Sequence, residues 1–152
     1  MSTAEYVFMK DMTHSAAVLD LMHFLYAEDN ADSGVDESLF PQTLHKLLTQ
    51  PQVGRIVLLC VREKVQGYAL LIPYWSNEYG GYLVYVDELY VMAEARCQGV
   101  GRGLFRWLAS ERPFGAVGIF LEVSPQNHRA RRLYEQLGFT DRENRTMAIR
   151  FS

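Results

Sequence analysis

Hydrophobic residues recur every three or four positions in the first third of the chain and follow strand-like spacing further on. Apolar residues over 16–25 predict a first helix over about 14–28, with Thr13 as its N-cap. The acidic segment over 27–37 predicts a loop. The helix that follows this loop has an apolar face comprising Leu39, Leu44, Leu47 and Leu48.

The pattern then changes to that of strands. Apolar and β-branched runs over 55–62 and 67–75 are separated by a short polar segment, which predicts a hairpin, and a third strand follows over about 82–92. Helical and strand spacing then alternate over about 100–111, 117–123, 127–137 and 145–151. This order predicts one domain of the α/β (α+β) class spanning residues 1–152, with a mixed, mostly antiparallel central sheet and helices on both faces.

Composition supports a single globular domain and excludes several functional classes. A chain of 152 residues, 49% of them hydrophobic, can bury a core without disulfides or a structural metal. The two cysteines and four histidines show no metal-ligand spacing, so no metal is predicted. The N-terminus lacks a basic and apolar leader, and no run approaches about 18 apolar residues. The sequence therefore predicts a soluble cytoplasmic protein that does not act at a membrane.

Charge is distributed unevenly along the chain. Residues 1–54 contain eight acidic residues against two lysines, a net charge of −6, and because the whole chain carries −3 the remainder carries +3. This asymmetry suits an anionic ligand at the C-terminal half and a cationic ligand at the N-terminal half, but a solvated acidic surface explains the first half equally well. No dense basic patch with interleaved aromatic residues is present, so the sequence does not predict a nucleic-acid partner.

A glycine-rich run over residues 96–103 directly follows a predicted strand and opens a predicted helix. The N-terminus of a helix presents unpaired N–H groups and a partial positive charge, and glycines let an anion approach the backbone closely. Arg96 and Arg102 flank the turn. A glycine turn without a ligand is the alternative. The spacing is GxGxG rather than GxGxxG, and no lysine followed by serine or threonine comes after it, which disfavours a dinucleotide fold and a P-loop.

A second motif lies on the predicted helix over 127–137, whose apolar face includes Tyr134. Taken alone, Tyr134 has the spacing of a core residue. The two motifs together closely resemble the Gcn5-related N-acetyltransferase (GNAT) superfamily, over about residues 82–139. The matching positions are Arg96, Gly99 and Gly101 in the first motif and Asn127, Ala130, Tyr134, Gly138 and Phe139 in the second. Cys97 departs from the family, which usually has glycine there, so the turn must accept a β-carbon.

The resemblance implies a GNAT-like fold and acetyl-CoA as cofactor. The backbone of the third strand would pair with the pantetheine amides, the glycine turn would hold the pyrophosphate, and Tyr134 would stand near the thioester sulfur. The implied cofactor site comprises Leu89, Tyr90, Val91, Arg96, Cys97, Gln98, Gly99, Val100, Gly101, Arg102, Gly103, Asn127, Arg129, Ala130 and Tyr134.

Two adjacent acids, Asp87 and Glu88, are the candidates for the base. An alkyl ammonium, with a pKa near ~10.4, must lose a proton before it can attack a thioester. Both acids interrupt an apolar strand, where a carboxylate is costly unless it is paired or functional. Neighbouring strand residues face opposite sides, so only one acid reaches the amine unless a bulge intervenes.

Tyr134 is the candidate donor of a proton to the departing thiolate. No histidine or aspartate marks Cys97 as an activated nucleophile.

The third strand is also similar to that of the spermidine/spermine N-acetyltransferase group, which carries two adjacent acids before the same turn. This narrower resemblance implies that Tyr26, Glu28, Asp29, Asp87 and Glu88 bind the amine. It also implies that Asp87 takes part in a water-mediated proton relay. It implies a small cationic acceptor such as a polyamine, a diamine or an amino acid. The tendency of the superfamily and the apolar predicted last strand favour a homodimer. An aminoglycoside or a protein or peptide amino group is the alternative acceptor. A noncatalytic acyl-CoA-binding module is the alternative from another functional class.

Overall fold

The computed structural model describes residues 3–29 and 34–152, without the side chain of Asp29. The strands are β1 (Ala4–Phe8), β2 (Arg55–Val61), β3 (Lys64–Ser76), β4 (Gly81–Val91) and β5 (Gly118–Leu121). The helices are α1 (Ser15–Asp29), α2 (Phe40–Thr49), α3 (Val100–Glu111) and α4 (His128–Gln136). Short 3₁₀ turns occupy Met12–His14, Glu37–Leu39, Ala93–Ala95 and Pro113–Gly115.

The five strands form one sheet in the order β1-β2-β3-β4-β5. The first four strands pair antiparallel, and β5 pairs parallel to β4. This confirms the predicted mixed, mostly antiparallel fold. The sequence pattern did not reveal β1, because five residues with alternating exposure give only a short periodic signal.

The two faces of the sheet carry different cores. One core lies against α1 and α2 and includes Val18, Met22, Leu44 and Tyr68, all at most 1% exposed. Side chains alternate between the faces along a strand, so the continuous apolar run of β2 supplies buried residues to both. Helix α3 adds its own buried residues, which are Val100, Leu104, Phe105 and Leu108.

Two local predictions are corrected by the structure. Asp11, not Thr13, caps the start of the first helical segment, because its carboxylate accepts a hydrogen bond from the Thr13 N–H at 2.9 Å. The predicted last strand over 145–151 is wrong for the part of the chain that the structure describes: these residues have no strand assignment, and Met147 is 93% exposed. Alternating apolar residues favour a strand, but a strand is defined by its ladder with a neighbour.

The chain divides into two compact units, Met1–Glu122 and Val123–Ser152, and each is described by itself. The sheet and the first three helices belong to the first unit, and α4 belongs to the second. Within the described residues, no helix has the length and apolar character needed to cross a membrane.

Candidate active site

A β-bulge at Asp87 shapes the centre of the site. Leu70 pairs with Glu88 and Leu71 pairs with Val86, so Asp87 is an extra residue in β4 without a partner in β3. A bulge of this kind shifts the side-chain alternation by one position. Glu88 therefore lies on the opposite face from Val86 and on the same face as Leu70, which packs towards α1 and α2. The bulge that the sequence left open is present.

Two tyrosine hydroxyls hold the Glu88 carboxylate. The Tyr26 hydroxyl donates to Oε2 at 2.5 Å, and the fully buried Tyr68 donates to Oε1 at 2.8 Å. Burial and the neighbouring Glu88 raise the pKa of both tyrosines far above the ordinary value, so both stay protonated as donors. The charge of Asp87 acts on the same two hydroxyls. The two acids therefore converge on one region, with Glu88 fixed in place.

Asp87 differs from Glu88 in its electrostatic setting. Its side chain reaches solvent, yet the protein atoms around it raise the pKa of its carboxyl by desolvation, and repulsion from Glu88 and then from Glu122 adds to this rise. A carboxylate with a raised pKa accepts a proton more readily. Among the two predicted acids, Asp87 thus has the setting of a base and Glu88 that of a fixed charge.

Four residues near the bulge were not predicted as site residues: Tyr68, Tyr85, Phe120 and Glu122. Parallel pairing of β4 and β5 sets Tyr85 opposite Phe120 and Val86 opposite Leu121, so the next residues along the strands are Asp87 and Glu122. Burial, Glu122 and Asp87 raise the pKa of Tyr85 to about 12. Glu122 lies 35 positions from Asp87 in the sequence, and only the parallel register reveals that they are neighbours.

A second cluster joins a predicted amine-binding residue to a predicted cofactor-binding residue. The Glu28 carboxylate accepts hydrogen bonds from the Arg96 guanidinium at 2.9 and 3.2 Å and from the Tyr90 hydroxyl at 3.2 Å. Arg96 also donates through Nε to the Val91 carbonyl at 2.8 Å and lies over the Tyr90 ring. The guanidinium thus ties the end of α1 to the turn after β4. The side chain of Asp29, the third predicted residue of this segment, lies outside the described residues.

The turn before α3 directly opens this helix, as the glycine run predicted. Cys97 and Gly99 have left-handed φ angles of 63° and 78°, and a Cβ built at Gly99 meets nothing within 4 Å. The first helical hydrogen bond runs from the Gly103 N–H to the Gly99 carbonyl at 2.9 Å. The N–H groups of residues 100–102 precede this bond and face the start of the helix. An exposed turn of this form fits an anionic group such as a pyrophosphate.

Two other predicted cofactor residues have structural partners of their own. A Cβ at Gly103 would collide with the Tyr6 hydroxyl, which donates to the Val100 carbonyl at 2.7 Å, so close packing already explains this glycine. The Gln98 side-chain amide donates to the Glu94 carbonyl at 2.9 Å. Their contact with a cofactor stays a prediction.

The end of β4 offers an unpaired backbone edge. β5 pairs with β4 only over residues 83–86, so within the described chain no strand pairs with 88–91 on that side. Free N–H and C=O groups along such an edge can pair with another extended chain. The pairing of Leu89, Tyr90 and Val91 with an amide-containing ligand stays a prediction, and the Val91 carbonyl already accepts a hydrogen bond from Arg96 Nε at 2.8 Å.

The family model for acetyltransferases of the GNAT family matches residues 17–139. The chain belongs to the acetyltransferase (GNAT) family. An uncharacterised N-acetyltransferase of Mycobacterium tuberculosis (strain H37Rv) is 28% identical over 125 residues, which is 81% of this chain and 76% of that protein. Together, the family match and this relative support N-acetyltransferase activity of the GNAT type.

Solved GNAT structures share the fold. A possible acetyltransferase from Clostridium difficile 630 superposes with a TM-score of 0.83 at 20% identity, covering 98% of each chain. An aminoglycoside N-acetyltransferase crystallised with CoA superposes with a TM-score of 0.76 at 18% identity, covering 99% of this chain and 96% of that one. The narrower resemblance to spermidine/spermine acetyltransferases is not confirmed by the matches.

The second GNAT motif lies on α4, within the second unit. Asn127 caps this helix, since its side-chain oxygen accepts a hydrogen bond from the Ala130 N–H at 3.1 Å. The Tyr134 ring contacts Phe139, with centroids 5.7 Å apart. The predicted roles of Asn127, Arg129, Ala130 and Tyr134 towards the cofactor and the thiol stay predictions.

Proposed function

We propose that this chain transfers an acetyl group from acetyl-CoA to the primary amine of a small cationic molecule. The observation that carries the proposal is the bulge at Asp87. It brings an acid with a raised pKa beside a second acid that two tyrosines hold in place. The convergence of Asp87, Glu88 and Glu122 provides a local negative field, which attracts a protonated amine.

Asp87 accepts the proton of the bound ammonium, directly or through one water. Its raised pKa narrows the gap to the amine, whose free pKa is about 10.4, and so makes the transfer less unfavourable. Glu88 has both oxygens engaged by Tyr26 and Tyr68, and it orients the amine as a fixed charge. This division of labour proposes Asp87 as the base, which is also the proton-relay role that the narrower resemblance implies for it.

The turn before α3 and the free edge of β4 are proposed to hold the cofactor. The left-handed turn at Cys97 and Gly99 leaves room for a phosphate against the backbone. Acetyl-CoA supplies an activated acetyl group when it is bound. Tyr134 is proposed as the proton donor for the thiol side of the reaction, on the strength of its position in the family motif. A cytoplasmic location and a homodimer belong to the same proposal.

The test is release of free CoA thiol during incubation with acetyl-CoA and a panel of amines: diamines, spermidine, amino acids, an aminoglycoside and short peptides. We expect turnover with small cationic amines. Asp87→Asn should lower kcat/KM by about 10²–10⁴-fold, the range typical of losing a general base. Glu63→Gln, which removes an exposed acid from the β2–β3 turn, serves as the matched control and should change little.

Two results would contradict the proposal in different ways. Binding of CoA without thiol release from any amine would favour a noncatalytic acyl-CoA-binding module. Acetylation of peptides but not of small amines would favour a protein or peptide acetyltransferase. Tyr134→Phe then tests the proton donor separately, because unchanged turnover of every accepted amine would remove that role.

A further inference from the structure

Three aromatic side chains, Tyr74, Tyr85 and Phe120, form a continuous surface that we call the aromatic floor. The rings of Tyr85 and Phe120 stack with centroids 4.7 Å apart and planes inclined by 24°. The Tyr74 ring meets Phe120 edge-on at 5.6 Å. The floor thus spans the three neighbouring strands β3, β4 and β5 on one face of the sheet.

The floor is open rather than part of a core. Tyr74 is 56% exposed, and both Tyr85 and Phe120 are only half-buried. Their neighbours on the other face, Val84 and Val86, are at most 5% exposed. Aromatic residues placed on the face that carries the catalytic acid, with solvent access, are therefore available to a ligand.

Acidic groups border the floor on one side. The last β4–β5 pair is Val86 with Leu121, so Asp87 and Glu122 emerge next to each other, one residue beyond the Tyr85–Phe120 pair. The two carboxylates repel each other, and both act on the Tyr85 hydroxyl. Asp87 is already assigned to the reacting amine. Glu122 adds to the negative field around Asp87, and it is also the acid at the edge of the floor.

Tyr85 and Phe120 cover one face of each other, so a ligand contacts their outer faces and Tyr74. An aromatic face and a neighbouring carboxylate both attract positive charge, the first through the ring quadrupole and the second through its formal charge. Alkylated ammonium groups are the preferred ligands of aromatic surfaces. A neutral apolar group would gain contact with the rings but nothing from Glu122. A positively charged group interacts favourably with both the aromatic rings and the Glu122 carboxylate.

We infer that the aromatic floor and Glu122 bind a second, alkylated cationic centre of the acceptor, while Asp87 receives the proton of the reacting amine. This inference rests on the proposed function and narrows its substrate class to amines with a distal ammonium group. The distal charge selects the substrate, and the near amine is acetylated.

The experiment compares (3-aminopropyl)trimethylammonium, the cationic acceptor, with its carbon isostere 4,4-dimethylpentylamine, the neutral isostere, whose distal centre is uncharged. Each has one acetylatable amine. At saturating acetyl-CoA, we expect the cationic acceptor to have a kcat/KM at least about tenfold higher, equivalent to about 1.4 kcal/mol. 3-Phenylpropylamine is included to test recognition of an aromatic ring instead of a charge.

Substitutions then locate the effect. Phe120→Leu removes the central ring, and Glu122→Gln removes the charge. Each should raise KM for the cationic acceptor by about 3–30-fold and KM for the neutral isostere by clearly less, so that the preference for the distal charge falls. Phe120→Tyr, which keeps the ring, should retain the low KM. Tyr74→Leu repeats the test at an exposed position if Phe120→Leu fails to fold.

Trp75→Leu is the matched control. Trp75 is 60% exposed and adjacent to Tyr74, but it points to the other face of the sheet and packs edge-on against Tyr82. Its loss should leave the KM of both acceptors unchanged.

The outcomes separate this inference from the proposed function. Equal use of the cationic acceptor and its neutral isostere would overturn the inference and leave the acetyltransferase proposal standing. Preference for 3-phenylpropylamine over the cation would also overturn it, because the floor would then recognise rings. Failure to acetylate any amine would overturn the proposed function and the inference with it.

Discussion

At the scale of single residues, Asp87 is a carboxylate that its surroundings disfavour. Its pKa in the folded chain is raised, first by desolvation and then by Glu88 and Glu122. The unfolded chain therefore releases this proton at lower pH than the folded chain does. Stability is lost as the pH rises from the ordinary carboxyl pKa through the raised one, and the loss persists at neutral pH.

The upward direction of this pKa shift predicts how Asp87→Asn changes the stability of the fold. The variant should melt slightly higher at pH 7, because the like charges and the desolvated ion are gone. This gain should vanish near pH 3, below the ordinary carboxyl pKa of about 3.9, where Asp87 is protonated in both states. Thermal unfolding followed by circular dichroism at both pH values measures it. A variant that is less stable at pH 7, or a gain that is equal at both pH values, would refute this account. Lower activity together with higher stability is the pattern expected of a functional site.

The two tyrosines that bind Glu88 differ in burial, and this difference makes a second prediction. Tyr68 is fully buried, so Tyr68→Phe leaves a carboxylate oxygen without its donor where water has poor access. The free energy of unfolding should fall by about 1–3 kcal/mol. Tyr26 is partly exposed, and water can replace its hydroxyl, so Tyr26→Phe should cost less than about 1 kcal/mol. Urea unfolding of both variants checks the order, and equal losses would contradict it.

At the scale of elements, the start of α3 depends on close packing with β1. The Tyr6 hydroxyl lies where a side chain at Gly103 would extend, and it donates to the Val100 carbonyl. Gly103→Ala should gain about 0.5–1 kcal/mol from helix propensity but lose about 1–3 kcal/mol to the collision, so the single variant should be less stable.

The same substitution in a Tyr6→Phe background tests the cause. Without the hydroxyl, most of the collision is relieved, and Gly103→Ala should become neutral or stabilising. The free energies of unfolding of the four chains form a double-mutant cycle, with an expected coupling of about 1 kcal/mol or more. Additive effects would show that Tyr6 does not determine the glycine at this position.

Element positions were largely predictable from the sequence, and their pairing was not. Helical periodicity is local, so α3 begins and ends where the pattern indicates, and β4 differs by one residue at each end. The short strand β1 gave too little pattern, and residues 145–151 had the pattern of a strand without forming one. The bulge at Asp87 depends on the register between β3 and β4, which no local pattern contains.

The residues of the candidate site were likewise predictable where their signal is local, and were not predictable where it depends on pairing between distant elements. The acids Asp87 and Glu88 and the turn at Gly99 could be found from the sequence, because acids in an apolar strand and glycines before a helix are local signals. The partners of these residues could not. Glu28 and Arg96 are 68 positions apart, and Tyr85, Phe120 and Glu122 come together only through the parallel pairing of β4 with β5.

At the scale of the whole molecule, the uneven charge along the sequence can be traced to particular acidic and basic side chains. Part of the N-terminal acidity is compensated, because Glu28 is paired with Arg96. The acids around the bulge, Asp87, Glu88 and Glu122, lie outside the acidic N-terminal segment, and the chain as a whole carries −3. The field that a cationic acceptor meets is therefore set by two acids of β4 and one directly after β5 more than by the excess of acids in residues 1–54.

This field predicts a dependence on ionic strength that scales with the charge of the acceptor. Salt screens attraction between separated charges, with a Debye length of about 10 Å at 0.1 M. At saturating acetyl-CoA, raising NaCl from 20 to 300 mM should lower kcat/KM about twofold for 4,4-dimethylpentylamine, which carries one charge, and about fivefold for (3-aminopropyl)trimethylammonium, which carries two. Glu122→Gln should reduce the salt dependence of the second acceptor towards that of the first, and Glu63→Gln should not. Equal salt dependence for both acceptors in the unmodified chain would mean that the distal charge does not enter this field, and the selection of dications would then need another cause.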